Sequence, residues 1–127
     1  MSTSGLVFFN TVVSGASSGL FTFMCRSYHG EKPKKCMISM CKGILAGLVG
    51  IAASCHNVYP WAAFIIGILS GGMYMLHSKL ARYMKVDDPL DAFAVHYGAG
   101  FTGVLSVAFF DISYGLFHGN GGKQIWV

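Results

Sequence analysis

The chain has 127 residues, of which 54% are hydrophobic and only 11% charged, about half the charged share of an ordinary soluble domain. Its net charge of +4 comes without a clustered basic face, because the cations stand between long uncharged runs, which argues against nucleic acid as a partner. The stretches 1–25, 43–78 and 92–110 contain no Asp, Glu, Lys or Arg, and each can cross a hydrocarbon core about 30 Å thick, so an ordinary soluble domain is excluded and an all-α, polytopic membrane helix bundle is indicated.

The first predicted span covers about 4–25. It lacks the positively charged start of a signal peptide, since its nearest cation, Arg26, follows the apolar stretch, so it is read as a retained helix. Asn10 and Thr11 lie inside it and need partners, which interhelical hydrogen bonds or a wet pore would supply. The basic loop 26–36 follows. Cys25, His29 and Cys36 invite comparison with a zinc site, but the four cysteines form no C-x-x-C pair, and reduced thiols near helix ends are the plainer reading. No metal or cofactor is expected.

The run 43–78 is too long for one helix of ordinary tilt and is broken by His56-Asn57-Val58-Tyr59-Pro60, where Pro60 can occupy the first turn of a new helix. The second span is therefore placed at about 37–55 and the third at about 60–81, a tight hairpin whose Tyr59 and Trp61 fall at a water interface. The fourth is placed at about 89–113, with 114–127 as an extracellular tail, all within one domain, 1–127.

Four spans put the loops 26–36 and 82–88 on one side, and the charges agree. Arg26, Lys32, Lys34, Lys35, Lys42, Lys79, Arg82 and Lys85 fall on that side and Lys123 on the other, so that side is predicted to be cytoplasmic. Small residues recur at four-residue spacing (Gly15 and Gly19, Gly43 and Gly47, Ala46 and Gly50, Gly67 and Gly71, Ala99 and Gly103), as close helix packing in lipid requires.

The segment VDDPLDAFAVHYGAGFTG, 86–103, carries the chemistry. Its G-x-G-x-x-G match would need a strand before it and a helix starting at it, whereas Asp88, Pro89 and Asp91 read as an N-cap, a proline at the first helical position and an acid at the third. Gly100 and Gly103 then lie inside the helix and are assigned to packing, and the aspartates to capping and contacts with Lys85 or Arg82 rather than to catalysis. His96, about eight residues beyond the cap, would lie about 12 Å into the membrane, where an ionisable side chain is a functional candidate by default. A neutral imidazole there has one donor and one acceptor nitrogen. Ala92 and Gly100, one turn to either side, give a small-sided stripe that suits a pore wall or tight helix contact.

The chain resembles the ammonium transporter family (Amt/Mep/Rh), in its Amt branch. KVDDPLDAFAVHYGAGFTGVL (85–105) is similar to that family's tenth span, KGILAGLVGIAASC and PWAAFIIGILSGG to its eighth and ninth, FFNTVVSGASSGLF (8–21) to its seventh, and GLFHGNGGKQIWV (115–127) to the stretch leading into its eleventh. The resemblance implies a multi-pass protein of the cell membrane with ammonium or ammonia as substrate, a trimer in the full-length family and no enzymatic activity. It makes His96 the second of two facing pore histidines; the helical spacing puts Ala92 beside it on that wall. It also implies that this chain corresponds to a partial second repeat, without the fifth span that carries the partner histidine, and so would not enclose a pore alone. Ala52 stands where many members have a threonine and Tyr97 where glycine is usual, the latter expected to narrow helix packing. The competing expectations are a non-transporting membrane protein that docks on full-length relatives or is an inert remnant, and an intramembrane enzyme using Asp88 or Asp91 with His96.

Overall fold

The computed structural model describes residues 3–85 and 91–110. They form four helical segments: α1 (Thr3–Tyr28), α2 (Pro33–Ile51), α3 (Pro60–Tyr83) and α4 (Ala99–Phe110), the last entered through a π-helical turn, Ala94–Gly98. The all-α bundle expected from composition is thus present. Two of its helices, over Ser4–Tyr28 and Pro60–Tyr83, are long and apolar enough to cross a membrane, and Ala94–Phe110 is a shorter apolar helix.

Prolines set two of the starts. Pro33 and Pro60 occupy the first turns of α2 and α3, where the missing N–H costs nothing, behind extended residues Lys32 and Tyr59. The second helix therefore begins one turn earlier than position 37. It also ends at Ile51 rather than 55, because the chain folds into tight turns: Ser54 N–H donates to the Ile51 carbonyl (3.0 Å) and Asn57 N–H to that of Ser54 (2.9 Å).

The bundle is inverted relative to a soluble core. Its interior is mostly small residues and hydroxyls around a few larger side chains (Ile51, Val58, Ile66 and Tyr74), with Gly43, Ala46, Gly47, Gly50, Ala62, Ala63, Gly67 and Gly71 all buried, while Phe8 (72% exposed), Met24 (66%) and Val104 (68%) face outward. Water would penalise that exterior by roughly 25 cal/mol for each Å² of apolar surface; hydrocarbon does not.

Helix α1 is the centrepiece. Asn10, Ser14, Ser17, Ser18 and Thr22 recur every three or four residues and are all buried, so one face of α1 is a polar stripe pressed against the glycines of α2 and α3. The stripe is satisfied largely by neighbouring backbone: Ser14 Oγ donates to the Gly47 carbonyl (2.9 Å), Ser18 Oγ to Gly43 (2.6 Å) and Ser17 Oγ to Phe64 (3.1 Å). A glycine carbonyl is reachable by so short a side chain only when the helix axes come close, so the glycines and the hydroxyls depend on each other.

Asn10 closes the outer end of this arrangement. Its Nδ2 donates to the Cys55 carbonyl at 2.9 Å and the Val58 carbonyl at 2.8 Å, clamping the α2–α3 turn onto α1, whereas Thr11 only returns its hydroxyl to Val7 of its own helix (2.7 Å). Replacing Asn10 by Leu removes both donors and leaves two acceptors short, a loss of about 1–3 kcal/mol. Maleimide labelling of Cys55, half-buried in the turn, should then rise severalfold while Cys41, exposed on α2, keeps its rate. Unchanged Cys55 labelling would show that Asn10 does not hold the turn.

Candidate functional site

The site is built where the last helical segment meets α2 and α3. Asp91 does not occupy the third helical position. Its φ of 54° is left-handed and non-helical, and the Val95 N–H bonds back to its carbonyl at 2.9 Å, so Asp91 stands just before the helix. Its carboxylate is used on other elements: Oδ2 pairs with Lys42 Nζ of α2 at 2.7 Å, and Oδ1 accepts from Ser78 Oγ of α3 at 3.1 Å. Ser78 Oγ in turn accepts from Arg82 Nη2 (3.1 Å), so Arg82 reaches Asp91 only through the serine. Lys42, a cation eight residues inside its helix from Lys34, is the partner that sequence order concealed. Asp88 and Pro89 lie outside the described residues.

His96 sits in the middle of the π-helical turn and is exposed at the outer face of the bundle, as is Ala92. The turn is closely packed. A methyl group added at Gly98 would lie 2.9 Å from His77 Nδ1 and 3.2 Å from the Met73 carbonyl, so this glycine lets the last segment approach α3, and Ala94 and Val95 are buried alongside it. A π turn is wider than an α turn and re-aims the residues on either side, and such turns are frequent at functional sites.

That widening corrects the stripe expected around His96. Gly100 is half-buried with its nearest added-methyl contact 4.0 Å away at Val49 Cγ1, so it makes no close approach; Gly98 and Gly103 do, the latter with a would-be methyl 2.6 Å from the Gly50 carbonyl. On the outward face His96 is accompanied by Phe93, Tyr97 and Phe101, all roughly half exposed. The exposed face that carries His96 and Ala92 is thus also rich in aromatic side chains. Tyr97 does not narrow helix packing: it stacks on Phe93 (ring centroids 5.1 Å, 7° between planes) and meets the edge of His77 (5.4 Å, 66°).

His77 lies in the last two turns of α3. In space it is the second imidazole of this region. Its Nδ1 lies 2.9 Å from the Met73 carbonyl and therefore donates to it. With Leu80, Ala81, Met84, Phe93 and Tyr97 it lines a hollow of about 440 Å³. The contact between His77 and Tyr97 joins two helices whose relative register no local pattern reports.

The whole of the chain, residues 1–127, matches the profile of the Ammonium Transporter Family. It is 41% identical over 105 residues to a Caenorhabditis elegans protein provisionally named ammonium transporter 1, covering 82% of this chain and 19% of that protein. It is 34% identical over 128 residues to ammonium transporter 1 member 2 of Arabidopsis thaliana, covering 91% of this chain and 24% of that one. The chain therefore spans about a fifth to a quarter of the length of these relatives. The crystal structure of Saccharomyces cerevisiae Mep2 superposes with a TM-score of 0.84 at 24% identity, covering 96% of this chain and 30% of Mep2, and so shares its fold. By profile, by sequence and by fold, the chain belongs to the ammonium transporter family.

Proposed function

We propose that the chain serves ammonium transport across the cell membrane, as one wall of a conduction path rather than as a complete one. Family membership over the full 127 residues carries this reading. In it His96 and Ala92 face the path, ammonium or ammonia is the substrate, and the imidazole offers one donor and one acceptor to a small polar molecule that has left water. The exposed position of His96 supports the single-wall reading, since a path for ammonia must be enclosed against lipid on every side. Catalysis fits less well, because both oxygens of Asp91 are engaged by Lys42 and Ser78. The trimer of full-length relatives would come with the rest of their fold.

The test is methylammonium uptake by cells that lack their own ammonium uptake. Expressed alone, the chain is expected to give no uptake above background. Exchanged for the matching segment of the Arabidopsis relative, it should support uptake, and His96→Ala in that chimera should lower the rate about tenfold or more, because it removes the donor and acceptor that the imidazole offers to the permeating molecule. Full uptake by the His96→Ala chimera would remove His96 from the path. Failure of the chimera itself, with normal membrane insertion, would favour a non-transporting protein that docks on its relatives.

A further inference from the structure

At the charged end of the bundle, away from His96, the chain builds a second polar hollow, and its chemistry is independent of the transport reading. Gly30, with a φ of 73°, turns the chain sharply after α1: its N–H bonds to the Ser27 carbonyl (3.0 Å), and the Glu31 N–H reaches the Arg26 carbonyl (3.3 Å). This brings Glu31 back over the end of α1, where its Oε1 takes Arg26 Nη1 at 2.7 Å. A hollow of about 190 Å³ lies between this turn and α3, lined by Cys25, Arg26, His29, Glu31, Met75 and Lys79.

Its charge is unbalanced. The Arg26 hydrogen bond holds the Glu31 carboxyl below its usual range, and the fields of Arg26, Lys35 and Arg82 act in the same direction, so Glu31 is a full negative charge at neutral pH. Among the described residues, Arg26 and Lys79 in the lining stand against that one charge, with Lys35 close by. Glu31 occupies one nitrogen of Arg26, while Arg26 Nε is buried with no acceptor among the described residues. The remaining guanidinium donors of Arg26 and the Lys79 ammonium in the same lining suit a tetrahedral oxyanion, which accepts charge-assisted hydrogen bonds from several donors at once.

We infer that this hollow is a binding site for a phosphate-bearing anion, with Arg26 and Lys79 as its principal contacts and Glu31 as the group that competes with the ligand for Arg26. The phosphate has two sources, the headgroup of an anionic lipid or free inorganic phosphate. Met24 and Tyr28, strongly exposed on α1 next to the lining residues Cys25 and His29 in the chain, give an apolar surface that would suit a lipid.

Inorganic phosphate titrated calorimetrically into the full chain in a neutral detergent tests one source. Retention of phosphatidylglycerol over phosphatidylcholine, read by native mass spectrometry after extraction from mixed vesicles, tests the other. In whichever arm binding occurs, Lys79→Gln should weaken it about fivefold or more, Glu31→Gln should tighten it about twofold or more, and Lys34→Gln, exposed on α2 and outside the lining, should leave it within about twofold. The opposite signs at two neighbouring positions distinguish a site from general basicity. Binding in neither arm, or equal weakening by Lys79→Gln and Lys34→Gln, overturns the inference.

Discussion

Gly47→Leu is expected to part α1 from α2 and to be among the most damaging substitutions in the bundle. Even a methyl group at this position would lie 2.5 Å from the Ser14 carbonyl oxygen, 2.6 Å from Ser18 Cβ and 3.0 Å from the Gly15 Cα. Two of these three are backbone atoms, which no rotamer change can move aside. The helices would have to separate, and separation stretches the Ser14–Gly47 and Ser18–Gly43 hydrogen bonds that exist only because the backbones are close. Overpacking of this kind costs about 1–3 kcal/mol for small insertions, and the two stretched hydrogen bonds add about 1 kcal/mol each. Unfolding of the purified chain in mixed detergent, followed by helical circular dichroism, should show the loss. Gly100→Ala is the control, since its nearest neighbour is 4.0 Å away; it should be neutral or slightly stabilising, by up to about 1 kcal/mol, through helix propensity alone. Equal stability of Gly47→Leu and the parent chain would refute the close-packed face.

The contrast between these two glycines marks what the sequence could report. Apolar runs, prolines and loop cations are local signals, and they located four helical segments and the start of α3 at Pro60. The segment around His96 is dense enough in specific residues to name a family that a profile of the whole chain also names. What stayed hidden depends on which side of a helix meets its neighbour. Four-residue spacing singled out Gly43 and Gly47, which pack tightly, but it also favoured Gly100 over Gly98, because it assumed an unbroken α-helix. The π turn at Ala94–Gly98 breaks that assumption, and its Gly98 fits closely against His77 and Met73, two residues of another helix. The serines of α1 were equally unreadable: a hydroxyl in an apolar run carries no mark of the carbonyl it will reach. Asp91 looked like a helix-start acid for the same reason, since Lys42 is 49 positions away in the chain.

Asp91→Ala should loosen the start of the helix that carries His96, through two separable losses. The first is the tie to α2 and α3. The Lys42 and Asp91 side chains are 21% and 17% exposed, between the surface case, where a pair contributes less than about 1 kcal/mol, and the buried case, where removing one partner costs about 3–5 kcal/mol. A loss near 2 kcal/mol is expected from the pair and the Ser78 hydrogen bond together. The second is conformational: at a φ of 54° alanine is disfavoured by about 1 kcal/mol relative to glycine, and Asp and Asn tolerate the position better than other side chains with a Cβ. Asp91→Asn should therefore cost least, because it keeps an acceptor for Ser78 and suits the backbone; Asp91→Gly should cost more and Asp91→Ala most. In a double-mutant cycle Lys42→Ala should cost little once Asp91 is gone, with a coupling of about 1–2 kcal/mol. Additive losses would show that the pair is only a surface contact. An order in which glycine is worse than alanine would show that the backbone at Asp91 is unstrained, and the helix would then start where it does for another reason than this anchor five residues before His96.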